Sequence, residues 1–312
     1  MNFPFKRVLP DIIKGSIATL ILFLAYVSFP LVGMLPGLLT PLPTIFYILK
    51  SGRICALSVV ITAIVLALVT GPQTALFYLV QCGVIALALP EFISRWWGAA
   101  RSIAATVALN SVLILLLVTL YGVSQGVDIH GQALKGISAS ISQTIRFYEK
   151  SGLTGDELEG LRQGMQQAGE LIGRVYPALL VIFLALIAGL NLALTVKLSA
   201  KLPHTLPAGD FKQFKNPEQM IWMVIIAGFA MIPAVPLLAT AALNLLVVTL
   251  SLYFIQGLAI LFHFFQRFKV PPFVRWICYL LLGLQPYLLI GVAALGIFDI
   301  WGDFRTHKPK NL

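Results

Sequence analysis

The sequence predicts an all-α fold: a polytopic transmembrane helical bundle of about 8–10 membrane segments, with an amphipathic helical hairpin as an insertion. Three observations carry this expectation. Hydrophobic residues make up 59% of the 312 positions and charged residues 11%, whereas a soluble domain carries about 25% charged residues. The stretches free of Asp, Glu, Lys and Arg are apolar and long, and a run of roughly 18 or more such residues finds enough non-polar surroundings in lipid alone. The single long polar stretch, 123–173, has helical rather than strand periodicity.

The segments follow in order. A first span covers about Ile12 to Met34, ending near Pro30. No small-residue cleavage site follows a short apolar core, so this span is expected to be retained. Leu35 to Leu49 is short and interrupted by Pro36, Pro41 and Pro43. Proline lacks a backbone donor and clashes with the preceding turn, so this piece is expected to be a kinked or partly unwound crossing. Spans at Ile54 to Thr70 and Gln73 to Leu89 are joined by a Gly71-Pro72 turn, and a fifth covers Ile103 to Gly122.

In 123–173, Leu134, Ile137, Ile141, Ile145 and Tyr148 recur three and four apart and make one apolar face. Thr154 and Glu157 match a capping box, and the stripe Leu158, Leu161, Met165, Ala168, Ile172, Val175 alternates three and four apart like a short coiled-coil seam. Beyond it lie spans at Tyr176 to Val196, at Gln219 to Thr240 with breaks at Pro233 and Pro236, and at Leu243 to Phe265. The final run, Phe273 to Phe298, has Gly283 and Pro286 near its middle and is either one tilted helix or two half-helices. The expected domains are 1–122, a five-segment bundle; 123–173, an extracytoplasmic hairpin; and 174–312, the remaining segments with basic loops and tail.

The formal charge is +10. In a membrane protein this speaks to orientation and not to nucleic acid, which is not an expected partner. With a cytoplasmic amino end, Lys6, Arg7, Lys14, Lys50, Arg53, Arg95, Arg101 and the loops at 197–215 and 267–275 lie inside, and the acid-rich hairpin lies outside. Nine crossings would export Arg305, Lys308 and Lys310. A divided or re-entrant final segment, with both termini cytoplasmic, resolves that conflict.

Ionisable groups deep in the membrane are usually functional, and this chain has almost none. Lys14, Glu91, His263, Arg275 and Asp299 fall near span ends, and Glu91 has Arg95 at ion-pair spacing. There is no HExxH motif and no intramembrane Asp pair, and Cys55, Cys82 and Cys278 share no metal-like spacing. No catalytic residue, metal or cofactor is expected, and the chain does not read as an enzyme. Amides are better represented. Gln81, Asn110, Asn191, Asn244, Gln256 and Gln285 lie in apolar surroundings, where each must pair with another helix or line a cavity. Two small-residue stripes, Ala100/Ala104/Ala108 and Ala185/Gly189/Ala193, allow close helix approach.

Three stretches together resemble the YybS-like bacterial inner-membrane proteins. They are Leu39-Thr40-Pro41-Leu42-Pro43 followed by Gly52, Tyr253-Phe254-Ile255-Gln256-Gly257-Leu258-Ala259, and the closing Gly296-Ile297-Phe298-Asp299-Ile300-Trp301-Gly302-Asp303-Phe304-Arg305. That family is of unknown function. Its grouping with the substrate-binding subunits of energy-coupling-factor transporters implies a helical bundle that holds a small molecule. The Ala-x-x-x-Ala stripe by which such subunits dock is missing here, since Leu22 follows Ala18 and Ile21 precedes Ala25. The chain also has no P-loop.

The leading expectation is a small-molecule-binding or permease-like subunit in the bacterial cytoplasmic membrane. Its partners are the lipid bilayer, a small-molecule ligand and a membrane-protein partner, and Asn110, Asn191, Asn244 and Gln256 are the candidate ligand groups. The alternative is a non-transport envelope scaffold that recruits partners through its hairpin and basic loops.

Overall fold

The computed structural model describes residues 5–29, 32–152, 154–203, 205–207, 209–233 and 235–305, with backbone only at 5–7. The expectations for Pro30, Lys308 and Lys310 and for the side chains of Lys6 and Arg7 lie outside what is described. Among the described residues the secondary structure is helical throughout, with no strand. Helix α1 is Phe5–Ser28, α2 Met34–Leu38, α3 Leu42–Ser51, α4 Leu57–Val69, α5 Pro72–Tyr78, α6 Val84–Ser94, α7 Ala99–Gln125, α8 Ile129–Lys150, α9 Asp156–Lys197, α10 Ile221–Ala230, α11 Pro236–Arg267, α12 Pro272–Leu284 and α13 Pro286–Gly302.

Five helical stretches are long and apolar enough to cross a membrane: Val8–Ser28, Pro72–Ser94, Ala99–Gln125, Asp156–Lys197 and Pro236–Arg267. A sixth is the pair α12 and α13, bent by 109° at its break. The remaining apolar segments of the sequence form shorter helices, α4 and α10 among them. Side chains such as Leu115 in α7, at 67% exposure, project from the protein, as lipid-facing residues do where the surroundings are themselves apolar.

The prolines decide where elements begin. Pro43 and Pro72 sit in the first turns of α3 and α5, where the missing N–H is not needed. The Pro-broken stretch is accordingly two short helices, α2 and α3, joined through Leu39 and Thr40. Pro236 likewise opens α11, so residues 236–240 belong to that helix and not to the preceding segment, leaving α10 with ten residues. The span expected to end at Leu89 continues through Pro90 to Ser94 in α6. Gly71 (φ +101°) makes the turn before α5 and Gly126 (φ +62°) terminates α7 in the left-handed conformation.

The chain forms two compact units, one of residues 1–126 with 183–209 and one of 127–182 with 210–312. The division falls inside α9. That helix has 42 residues, about 63 Å at 1.5 Å per residue, roughly twice the thickness of a bilayer core.

In the first unit a ladder of buried hydroxyls joins three helices. Thr19 of α1 lies 3.2 Å from Thr44 of α3, and Thr44 lies 3.1 Å from Ser58 of α4. Ser16 donates to the Ile12 carbonyl at 3.0 Å. Short side chains let these helices approach closely while each hydroxyl keeps a partner. On α7 the buried stripe is Ser102, Thr106 and Asn110, whereas Ala100, Ala104 and Ala108 face outward. The packing face is therefore the polar one, because Ser102 and Thr106 satisfy themselves on carbonyls one turn back at 2.8 Å each. The other small-residue stripe is loosely placed: Ala185 and Gly189 are half-buried, Gly189 beside Ile103, and Ala193 is exposed.

In the second unit α8 and the first part of α9 form the expected helical hairpin, with Asp128 capping α8 through the Gly131 N–H at 3.0 Å. The seam of α9 departs from the seven-residue stripe. It runs Leu158, Leu161, Met165 and then Gly169 and Gly173, which lie against Ile141 and Leu134, while Ala168 and Ile172 are exposed. A helix of 3.6 residues per turn drifts off a 3.5-residue stripe, and the two glycines give the closest approach. Helices α11 and α13 pack more closely still. A Cβ on Gly257 would meet the Val292 carbonyl, and one on Gly296 would meet the Tyr253 carbonyl.

Candidate functional site

A cavity of about 840 Å³ lies in the first unit. Tyr26 and Val27, near the end of α1, form one side, and Met34, Gly37 and Leu38 of α2 form another. Gln73, Thr74 and Phe77 of α5, with Gln81 beyond it, make a third, and Phe183 and Leu186 of α9 complete it. Gly37 is required here, since an added Cβ would stand 2.6 Å from the Tyr26 ring. Phe77 stacks against Tyr26 with centroids 6.3 Å apart, and Phe23 meets Tyr78 edge-on at 5.2 Å, so the wall is braced by packed aromatic rings.

Gln73, Phe77 and Gln81 are four apart and share a face of the helix. Between α5 and α6, Leu79–Gly83 forms one π-turn, closed by the Val84 N–H on the Leu79 carbonyl. Such single-turn bulges insert a residue and re-aim the side chains around them, and they recur at functional sites. Gln81 sits on this turn. It is 8% exposed, and among the described residues its Oε1 accepts no hydrogen bond. Thr74, by contrast, donates to the Thr70 carbonyl at 3.4 Å.

The four amides singled out from sequence lie elsewhere. Asn191 is fully buried on α9 and donates to the carbonyls of Leu38 and Ile187, both at 2.7 Å. It thus holds the end of α2, whose last carbonyls have no partner within so short a helix, and it touches the cavity wall only through Leu38. Asn244 bridges two backbone groups beside Pro177 of α9. It accepts from the Ala178 N–H at 2.9 Å and donates to the Arg174 carbonyl at 2.7 Å, the pair that an uninterrupted helix would join directly. Gln256 accepts from the Asn216 N–H at 2.9 Å and donates to Asp299 at 2.9 Å. Asn110 is fully buried, and neither of its amide atoms has a partner among the described residues.

Gln256 belongs to a clasp in the second unit. Asp299 of α13 is completely buried and accepts from Gln256, from the Phe304 N–H at 3.1 Å and from Arg305 at 2.5 Å. Arg305 also donates to the carbonyls of Lys212 at 2.9 Å and Phe214 at 2.8 Å. Two of the three stretches behind the family resemblance therefore meet here. Asp299 was expected near a span end, reaching headgroups or water; it is instead the buried centre of a satisfied network.

At one end of the first unit the charges pair. Lys50 lies 3.2 Å from Asp11, and Glu91 receives both Arg53 at 2.8 Å and Arg95 at 2.9 Å. A second cleft of about 700 Å³ opens among Arg53, Glu91, Trp96 and Thr205–Pro207 at this same end. The larger cavity lies toward the other end. Tyr26 is fifteen residues along α1 from Asp11, about 22 Å. Among the described residues no group of three His, Cys, Asp or Glu side chains is placed to hold a metal ion.

These features define a helical integral membrane protein with a cavity set between helices of one of its two units. Residues 17–300 match the family described as a predicted membrane protein (DUF2232), and the chain belongs to that family. No curated protein and no solved structure matches it.

Proposed function

We propose that the protein is a small-molecule-binding, permease-like subunit of the bacterial cytoplasmic membrane, and that its ligand occupies the cavity of the first unit. Gln81 carries the reading. An amide oxygen buried without a partner costs about 1–3 kcal/mol, and this one lies on a π-turn in the wall of a cavity. Turned toward the cavity, the carboxamide meets a ligand group that relieves the cost. The cavity is of the size that small-molecule sites have, about 300–1,000 Å³. Its polar side chains are amides and hydroxyls, so the role is binding and not catalysis. The resemblance to YybS-like proteins, and through them to vitamin-transporter binding subunits, agrees with this reading, although kinship of fold does not by itself assign function.

Positive charge at one end of the first unit supports a cytoplasmic position for that end and for the amino terminus. The cavity then belongs to the outer half of the bilayer. Native mass spectrometry of the gently solubilised protein tests the reading. A reproducible non-protein adduct is expected on the wild type and not on Gln81→Leu, and equal spectra for the two would end it.

The scaffold reading keeps one observation of its own. Phe147 and Leu171, on the two helices of the hairpin, are 67% and 54% exposed, an apolar surface suited to a partner protein. If the hairpin recruits a partner, removing residues 132–169 abolishes the cellular phenotype of the gene while Gln81→Leu leaves it intact.

A further inference from the structure

The walls of the first-unit cavity restrict what can fill it, and from them we infer that the ligand is a neutral lipid with a free hydroxyl, taken up sideways from the bilayer. The inference rests on the binding reading and narrows its ligand. No Asp, Glu, Lys, Arg or His side chain lines the cavity among the described residues. A phosphate or carboxylate placed there would be desolvated without a counter-ion, which is prohibitive in apolar surroundings, and the paired Lys50 and Asp11 lie near the opposite end of α1.

A sugar-like or peptide-like solute is excluded by a related count. Each of its polar groups needs a partner once buried, whereas among the described lining residues only Tyr26, Gln73, Thr74 and Gln81 carry a hydroxyl or an amide, and Thr74 already donates to its own helix. What remains is a largely apolar molecule with no more hydrogen-bonding groups than Tyr26, Gln73 and Gln81 can serve.

The route follows from exposure. Val27, Met34, Phe77 and Leu186 line the cavity and are each between 45% and 53% exposed. In an integral membrane protein such side chains face acyl chains, so the cavity is open to lipid. Gln81 lies eight residues beyond Gln73, about 12 Å deeper. Its carboxamide can present oxygen or nitrogen to a ligand by rotation, which suits a hydroxyl that both donates and accepts. A diacylglycerol-like molecule, with one hydroxyl and two acceptor-only ester carbonyls, meets every condition: its hydroxyl on Gln81, its glycerol end against Phe77 and Tyr26, and its chain ends left among the bilayer lipids.

The test compares dioleoylglycerol with dioleoylphosphatidic acid, which has the same chains and a charged head. Each is titrated onto the detergent-solubilised full-length protein, with native mass spectrometry as the readout. A polar aqueous metabolite extract is run alongside. The expected result is a one-to-one dioleoylglycerol adduct in excess over phosphatidic acid, weakened about fivefold in Gln81→Leu, the worth of one hydrogen bond. Gln285→Leu, at an exposed position outside the cavity, serves as control. Phe77→Trp provides a second measurement independent of Gln81. Its added fluorescence should be quenched by a bromine-labelled diacylglycerol and not by the labelled phosphatidic acid.

Equal binding of the two lipids, or quenching by both, is the behaviour of ordinary boundary lipid and overturns the inference. An adduct drawn from the aqueous extract and lost in Gln81→Leu overturns it as well, yet leaves the binding reading standing. No Gln81-dependent adduct from either source overturns both.

Discussion

Replacing Arg305 with Met removes the cation of the clasp while preserving most of the side-chain bulk. Asp299 is then left completely buried with only the Gln256 amide and the Phe304 N–H. Arg305 itself is 10% exposed in its side chain, so the pair is shielded from water on both sides. Removing one partner of such a pair typically costs about 3–5 kcal/mol, because the other charge stays buried. The carbonyls of Lys212 and Phe214 also lose their donor. Asp299→Asn combined with Arg305→Met removes both charges and should cost markedly less than the sum of the two single changes. Unfolding of the detergent-solubilised protein, followed by tryptophan fluorescence, gives the four free energies of the cycle. The expected coupling is at least about 2 kcal/mol, accompanied by faster amide hydrogen exchange around 211–216. A loss under about 1 kcal/mol for Arg305→Met, the value of an exposed ion pair, would refute the reasoning.

Other perturbations separate the remaining contacts. Gly257→Ala and Gly296→Ala each drive a methyl into a backbone carbonyl of the facing helix, and both should lower thermal stability by about 1–3 kcal/mol or more. Gly283→Ala in α12 meets no atom within 4 Å and should be neutral or stabilising by up to about 1 kcal/mol, the helix preference of alanine. Asn191→Leu abandons two carbonyls that accept its amide protons and should destabilise by about 1–3 kcal/mol, whereas Asn110→Leu removes an amide with no partner and should raise the melting temperature. Glu91→Gln frees Arg53 and Arg95 at an exposed triad. Its effect should stay within about 1 kcal/mol and shrink as salt is added to the melting buffer.

Much of the fold was legible because lipid imposes it. The long apolar runs became helices, the proline-rich 35–49 stretch became two short helices, and the two patterns in 123–173 became α8 and the start of α9. What the periodicities missed has physical causes. The α9 seam moved from Ala168 and Ile172 to Gly169 and Gly173 because a real helix does not hold a 3.5-residue repeat. The Ala100/Ala104/Ala108 stripe faces outward, since in a membrane polarity selects the buried face at least as strongly as size. Asp299 reads from the sequence as a span-end residue because the partners that bury it, Gln256 and the 212–216 segment, come from distant parts of the chain.

The candidate site was the least legible part, and the reason lies in what an amide in a membrane protein signifies. Asn191, Asn244 and Gln256 are conspicuous in the sequence because each is a polar group in an apolar run. Each spends its polarity on the backbone: the end of α2, the interrupted ladder at Pro177, and the Asn216 N–H that leads to Asp299. Such residues are needed by the fold, and their presence says little about ligands. Gln81 differs from them in geometry and not in composition. It occupies a π-turn that no hydropathy pattern encodes, and its buried oxygen is left without a partner among the described residues on a side chain that lines a cavity. Asn110 and the Oδ1 of Asn191 have no partner among the described residues either, but neither residue lines the cavity. The useful discriminator is therefore the conjunction of an unsatisfied polar atom with a volume that another molecule can occupy. Within the first unit, that conjunction singles out Gln81.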